Sequence, residues 1–497
     1  MLTRTKGKML QRWSRVLSDS TIPRHYDVLI NGGGIVGAAF AAALLREVGP
    51  GSKLKIGIVE PRKPLSLQEC LDRPTPDIRV YAMSPRSTQI LDSFGSWKHI
   101  APRSQPYDSM QVWETKSPGI LRFSAAESGL SSLGSIVEDC TVQAAIYQAL
   151  EVSGHVGGSV DFLFGQTITK LDIARDAESG STHFAQVTLG SSLTPSTSPP
   201  ATVSARLVVG ADGAASVVRK LSGGAAWGWN YGQEALVGTV RASTPHTTAW
   251  QRYLPTGPLA LLPLWGGFSS IVWSLPVMEA RRLGSLPAPE LVDAINAALQ
   301  SPNQNSRWPG LELDNTTLSR PLRELASLAD AMCSAALLAQ QSQSSAASHL
   351  KSPPLISELA SPRVVGFPLQ FQQAKAYTSA RVALVGDAAH SIHPQAGQGL
   401  NLGIADAQAL ATAVARALAS GGDIGDAAFL RREYGLPQSA ANLAMMGAVD
   451  GLHRVFSYGG KGAEVLQMVR GAGMMAVDSL AAVKSRVAAR AMGTDPR

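Results

Sequence analysis

The stretch YDVLINGGGIVGAAFAAALL, with KIGIVE a short way beyond it, restricts the possible folds more than any other part of this chain. Asp27 to Asn31 is short and mostly apolar, the pattern of a strand buried on both faces. Gly32, Gly34 and Gly37 follow as G-x-G-x-x-G, and a helix of small residues starts at about Val36. KIGIVE then reads as a second strand ending at Glu60. A right-handed crossover makes the two strands parallel neighbours, so the chain opens its fold with a βαβ unit.

Each glycine in that turn has a separate mechanical reason. Gly32 permits the tight turn, Gly34 lets a pyrophosphate approach the backbone, and Gly37 lets the helix pack closely. The free N–H groups and positive dipole end of the helix would face the phosphates. Glu60, twenty-three residues beyond Gly37, stands where an acid accepts hydrogen bonds from a ribose. Its plainer reading is a solvated acid at a strand end. The combination of two strands, three glycines and a terminal acid predicts a dinucleotide site.

Two later stretches repeat the logic of a strand running into a glycine turn. ARLVVGADGAASVVR carries a strand, Leu207 to Val209, into Gly210, Asp212 and Gly213, with Ser216 and Arg219 beyond. Asp-Gly is by itself an ordinary turn, yet such a turn is also how a second loop reaches the same cofactor. RVALVGDAAH gives another buried strand, Val382 to Val385, ending in Gly386 and Asp387. Strand ends in a parallel sheet are where ligands sit, and Asp387 is placed to hold a sugar hydroxyl. Beyond it, Pro394 stiffens a loop in which Gly397 and Gly399 let backbone pass against something flat, and Leu400 and Asn401 open a helix. His390 and His393 lie three apart with no third ligand in view, so packing or hydrogen bonding explains them better than a metal.

At 497 residues the chain exceeds one compact core. Its net charge of +7 is unevenly placed: Arg4, Lys6, Lys8, Arg12 and Arg15 supply five of those charges, leaving +2 for everything after residue 18. A nucleic-acid role is therefore not indicated. Leu10, Trp13 and Leu17 follow helical spacing, so residues 1–22 have the character of a mitochondrial leader, the alternative being a basic tail. Cys70, Cys140 and Cys333 are too scattered for a metal cluster or a disulfide framework. No run long enough to span a membrane is evident, and Ile35 to Leu45 reads as a buried helix. The middle of the chain has short β-rich runs broken by Gly and Pro, as in an antiparallel or mixed sheet. LGSSLTPSTSPPATVS reads as an extended hairpin loop and LLAQQSQSSAASHLKSPP as an insertion; after residue 425 the pattern is helical.

GGGIVG, GADGAASVVR and GDAAHSIHPQAGQGLNLGIADA resemble, in that order, the three FAD-contacting motifs of the group A flavoprotein monooxygenases, the para-hydroxybenzoate hydroxylase fold. The second and third match the family pattern in full. YDVLINGGGIVGAAF, RVYAMSPRSTQILDSFGSW, MQVWE, AWQRYLPTGPLALLPL and SSIVWS narrow the likeness to the mitochondrial ubiquinone-biosynthesis monooxygenases. There is a departure: the family tends to carry an arginine shortly before the asparagine matched by Asn442, and YGLPQSAAN has none.

The resemblance implies an α/β fold: a Rossmann-like FAD-binding domain (23–104, 131–230, 364–425), an inserted mixed-sheet substrate domain (105–130, 231–363) and a helical C-terminus (426–497). It implies that FAD is held by Gly32, Gly34, Gly37, Glu60, Arg79, Asp212, Gly213, Gly386, Asp387, Pro394, Gly397, Gly399, Leu400 and Asn401. Arg79 matches the family arginine near the flavin and its pyrophosphate. The helix starting at Leu400 would then stabilise the negative charge of the reduced ring, by up to about 2 kcal/mol. The implied reaction captures O2 as a flavin C4a-hydroperoxide, whose distal oxygen attacks a polyprenylated 4-hydroxybenzoate-type ring, with the cofactor supplying the chemistry. No catalytic side chain is assigned. Implied partners are O2, the prenylated phenol, other ubiquinone-biosynthesis proteins, the matrix face of the inner membrane as a peripheral contact, and an electron donor, either NAD(P)H or ferredoxin with its reductase. Two readings stay open beside this one, an NAD(P)H-dependent hydroxylase of a small phenol and a flavin-stabilised scaffold without turnover. A flavin-dependent halogenase would carry W-x-W-x-I-P, which the sequence lacks.

Overall fold

The computed structural model describes residues 25–115, 117, 119–153, 159–174, 183–191, 201–300, 352–457 and 463–493. The expected leader, Cys333 and most of the second Ser-rich stretch lie outside these residues.

Strand β1 (His25–Asn31), helix α1 (Ile35–Val48) and strand β2 (Lys55–Glu60) form the βαβ unit, with β1 and β2 parallel. Tyr26, Val28, Leu29 and Ile30 are wholly buried, as a central strand of an α/β sheet requires. The strand β3 (Ala201–Gly210) lies on the other side of β1, and β7 (Val382–Leu384) beside β3, all parallel. Their register aligns Asn31 with Gly210 and Gly210 with Leu384. The three glycine-bearing turns therefore leave adjacent strands at one level, along one edge of an eight-stranded sheet. The hairpin expected around residue 195 is seen in its flanks, where Ala185–Leu189 pairs antiparallel with Ala201–Ala205.

Helix α3 (Gly399–Ala419) packs along α1 behind this edge. It is long and apolar enough to cross a membrane by length and composition, but half of its apolar window is buried in the protein core. It supersedes Ile35 to Leu45 as the longest apolar helix. α2 (Asp139–Ser153) packs on the opposite flank of α1.

A nine-stranded sheet forms the second layer, built from β4 (Ala226–Ala242), β5 (Thr248–Leu254), β6 (Val365–Ala374) and six further strands. It is mixed: β5 runs parallel to Ser109–Glu114 and antiparallel to Gly257–Pro263. Its strands overrun the boundaries expected from sequence. β4 is one continuous strand across 230/231, and β6, expected in the FAD-binding part, is hydrogen-bonded to β4. Gln105–Tyr107 belongs instead to a three-stranded sheet with Val80–Met83 and Gly134–Glu138. Both strands lie wholly within this sheet, and β4 shifts register against β6 between Asn230 and Glu234 without ending. The pleat sends Trp113, Trp250, Leu259 and Trp273 beneath helices Val277–Gly284 and Ala288–Gln300. Val112, Tyr253 and Leu262 face the opposite side, so the WQRYLPTGPLALLPL stretch offers only alternate residues to a substrate wall. The C-terminal part is helical, with α4 (Leu436–Ser457) and α5 (Ala463–Ser479) closing over that side.

Candidate functional site

The first turn sorts its glycines by what surrounds them. Gly32 has φ +103° and a Cβ there would sit 2.4 Å from the Ala211 carbonyl oxygen, so only glycine fits. A Cβ on Gly37 would lie 2.0 Å from the Gly32 oxygen. Gly34 is different: a Cβ there would meet nothing within 4 Å. The Gly33 peptide is pinned from both sides. Its N–H donates to Glu60 Oε2 at 2.8 Å, and its carbonyl accepts from Gln143 Nε2 at 2.8 Å and Tyr147 Oη at 3.0 Å. Glu60 thus braces the turn from the strand end, with Oε1 taking the Arg62 N–H at 3.0 Å.

In the second turn the Asp212 carboxylate points into the protein. It accepts from Asn31 Nδ2 and the Val217 N–H at 2.8 and 2.7 Å, and from the Ser216 hydroxyl. The side chain caps the short helix Val217–Leu221, and what the turn exposes is backbone at Gly213, where a Cβ would again meet nothing within 4 Å. Arg219, buried, donates to the carbonyls of Ala388 and Ala214, tying the second turn to the third.

In the third turn, Gly386 donates its N–H to buried Asp406 at 2.9 Å. Asp387 is reachable by solvent but crowded by protein; that burial pushes its carboxyl above the ordinary value, with Asp406 adding to the rise and His390 and Arg79 pulling against it. Arg79 and Tyr81 stand nearby: Tyr81 Oη donates to Asp139 at 3.0 Å, and Arg79 pairs with Asp139 at 3.9 Å. Pro394 opens a single 3-10 turn that ends at Gly397, whose φ of +60° favours glycine. Asn401 spends its whole amide on the loop. Its Nδ2 donates to the Ala82 and Gly397 carbonyls at 2.9 Å, and its Oδ1 accepts from Ser84 N–H and Ser87 Oγ. Gly399 and Leu400 form the first turn of α3.

The two histidines differ sharply. Burial alone would lower the His390 pKa, but the Asp406 carboxylate at 2.7 Å more than offsets this and raises it. His393 has no such partner; burial, then the neighbouring His453, lowers it to about 3. Among the described residues no group of three or more His, Cys, Asp or Glu is arranged to hold a metal.

A profile of the FAD binding domain family matches residues 25–304 and 347–425. The ubiquinone biosynthesis monooxygenase COQ6, mitochondrial, of Xenopus tropicalis is 34% identical, covering 97% of this chain and 98% of that protein. The Homo sapiens COQ6 is also 34% identical, covering 96% and 94%. The chain belongs to the COQ6 family of FAD-dependent monooxygenases. Solved structures agree on the fold. The p-nitrophenol 4-monooxygenase PnpA of Pseudomonas putida DLL-E4 superposes with TM-score 0.64 at 15% identity, covering 94% of this chain and 98% of that one. PqsL of Pseudomonas aeruginosa superposes with TM-score 0.59 at 22% identity, covering 89% and 99%.

The COQ6-family chain has a cradle that fits FAD. α1 and α3 both begin without a capping side chain or an acid in the first turn, leaving N–H groups for phosphate and for an electron-rich ring. Open space lies over Gly34, where neither protein packing nor a positive φ gives a reason for glycine, and over Gly213, whose φ of +80° itself favours glycine. The loop from Pro394 to Asn401 lies against Ala82, which packs with Leu262 of the large sheet. These residues could hold the pyrophosphate at the first turn and the ring at the third. Gln143, Tyr147 and Asp406 were not anticipated as part of this COQ6-family site. They touch backbone rather than present a motif, so their residue types carry no signal by themselves.

Proposed function

We propose that this chain uses FAD and O2 to hydroxylate the ring of a polyprenylated 4-hydroxybenzoate-type intermediate of ubiquinone biosynthesis. The observation that carries the reading is the convergence of three in-register turns, the third of which runs on into the nine-stranded sheet through His390 and Ser391. Bound FAD supplies the two-electron chemistry that activates O2 for insertion into an electron-rich ring. The chain's own contribution is placement. Gly32, Gly34, Gly37 and Glu60 would seat the pyrophosphate and ribose, with Arg79, Asp212, Gly213, Gly386 and Asp387 continuing the cradle. Pro394, Gly397, Gly399, Leu400 and Asn401 would set backbone against the ring. Val112, Tyr253, Met474 and Phe456 form an apolar cluster between the sheet and α4–α5, with Tyr253 stacked on Phe456 at 4.0 Å. That cluster suits an apolar substrate and excludes water from the reacting ring.

We place the protein in the mitochondrion, peripheral to the matrix face of the inner membrane, with other ubiquinone-biosynthesis proteins as neighbours. α4 supports the membrane contact: Leu436 and Leu443 are exposed near one another on it, and Leu452 and Val455 are exposed further along the helix. Exposed apolar side chains on a helix fit a lipid surface.

Anaerobic mixing of purified protein with NADPH and a prenylated 4-hydroxybenzoate tests the reading. A flavin absorbance band that persists until ferredoxin and its reductase are added supports it. Rapid bleaching by NADPH alone, with a small phenol hydroxylated as readily, favours the small-phenol hydroxylase instead. Full FAD loading without turnover under either donor would leave the scaffold reading. Deleting residues 1–22 should abolish mitochondrial import while FAD binding in vitro persists.

A further inference from the structure

We infer that α4 is a clamp on the third-turn loop, with Asp406 as its node and Asn442 as a positioning residue; this rests on the FAD reading of that loop. Asp406 is wholly buried and four donors converge on it. Its Oδ2 accepts from the Gly386 N–H at 2.9 Å and from His390 Nε2 at 2.7 Å. Its Oδ1 accepts from Gln438 Nε2 and Asn442 Nδ2, both on α4, at 2.8 Å. Further along the helix, the Val449 carbonyl accepts from Gln395 Nε2 at 3.2 Å, and His453 stacks on His393 with ring centres 4.3 Å apart. Positions 438, 442, 449 and 453 recur at helical spacing on one face: the first two reach the loop through Asp406, and the last two meet it directly at Gln395 and His393.

α4 is also inside out. Gln438, Asn442, Asp450 and His453 are buried, whereas Leu436, Leu443 and Leu452 are exposed. A helix that served packing alone would bury its leucines, because buried amides cost free energy unless each finds a partner. Here the amides find theirs on the carboxylate that fixes Gly386, the residue before Asp387. Moving α4 therefore moves the turn that would face the flavin ribose.

The test uses the full chain, stripped of flavin and titrated with FAD by fluorescence quenching. The absorption spectrum and midpoint potential of the bound flavin are read beside it. Asn442→Leu should weaken FAD binding about tenfold, the loss of one buried hydrogen bond, and should shift the spectrum and potential. Thermal unfolding of the apoprotein should stay cooperative. Asp406→Asn should act in the same direction, and Ala444→Ser, on the exposed side, should change none of these. Should Asn442→Leu fail to fold, Gln438→Ala removes one donor of the pair more gently and is read the same way. A wild type that binds FAD while both node variants match it in affinity, spectrum and potential overturns the clamp alone. A wild type that takes up no FAD overturns the site reading and this inference with it.

Discussion

The first turn and the third turn lie on the same sheet edge yet differ in what fixes their glycines. Gly32 and Gly37 are fixed by backbone atoms within 2.4 Å of any added Cβ, so these two positions of the first turn are set by volume, with side-chain hydrogen bonds holding only the Gly33 peptide between them. The third is fixed by buried polar side chains reaching in from elsewhere: Asp406 on Gly386, Arg219 on Ala388, Asn401 on Gly397. A turn set by volume fails when anything is added. A turn set by hydrogen bonds fails when a partner is removed, even if the volume is kept.

The largest expected effect is at the volume-set turn. Gly37→Ala places its methyl 2.0 Å from the Gly32 oxygen, a contact that backbone must move to relieve. Overpacking of that kind costs about 3 kcal/mol or more. Denaturant titration of the apoprotein should show a lower midpoint with the slope unchanged, and an unaltered midpoint would mean that the turn is not set by volume at all.

Next comes the hydrogen-bonded turn. Arg219→Met keeps the stem but leaves the Ala388 and Ala214 carbonyls without their guanidinium donor. About 2 kcal/mol of stability should be lost. FAD affinity should fall with it, since Ala388 follows Asp387 directly. Loss of stability with full FAD affinity would break the comparison, because it would uncouple the third turn from its polar supports.

The same contrast explains how much could be read from sequence. The residues of the volume-set turn are local: its glycines, flanking strands and terminal Glu60 all lie within one βαβ unit, although the atoms that crowd Gly32 come from Ala211. The three turns were legible as parallel strand ends because Val28–Ile30, Leu207–Val209 and Val382–Leu384 are continuous apolar runs. The supports of the third turn come from far along the chain. Asn442 was visible only as a family asparagine, and its partner Asp406 as a letter inside GIADA; nothing in either residue type announces that they meet. Asp212 was read as part of a loop that reaches a cofactor, and its carboxylate also braces that loop by accepting from Asn31 and a helix start. Short polar side chains do both jobs equally well, so spacing alone does not distinguish them. The layer boundaries were illegible for another reason: β4 stays a single strand through the expected junction.

A smaller effect sharpens the comparison within the first turn itself. Gly34→Ala adds a methyl where no atom lies within 4 Å and φ is −63°, so the apoprotein should unfold as before. FAD affinity should drop about tenfold, a cost near 1.4 kcal/mol, because the methyl occupies space meant for the pyrophosphate. Gly37→Ala and Gly34→Ala should thus separate cleanly, one failing in the fold and the other in the ligand. Equal FAD affinity for wild type and Gly34→Ala would remove the pyrophosphate from that place.

A further effect lies within the third turn and depends on pH. His393 has its pKa lowered to about 3 by burial and by His453, against an unfolded value near 6.5. The unfolded chain therefore binds the extra proton between those values, and stability is lost as pH falls through that window, by up to about 1.4 kcal/mol per unit. His390, raised by Asp406, behaves in the opposite sense: its contribution is complete below about 6.5 and is lost as pH rises through the raised value. Melting temperatures of wild type, His390→Phe and His393→Phe across pH 4.5 to 9 resolve the two. The gap between wild type and His393→Phe should widen from acid to neutral pH, while the gap between wild type and His390→Phe should narrow above neutrality. Parallel curves for all three proteins would mean that neither imidazole is held in the charge state its surroundings dictate, and that the polar supports of this loop are weaker than the backbone contacts of the first.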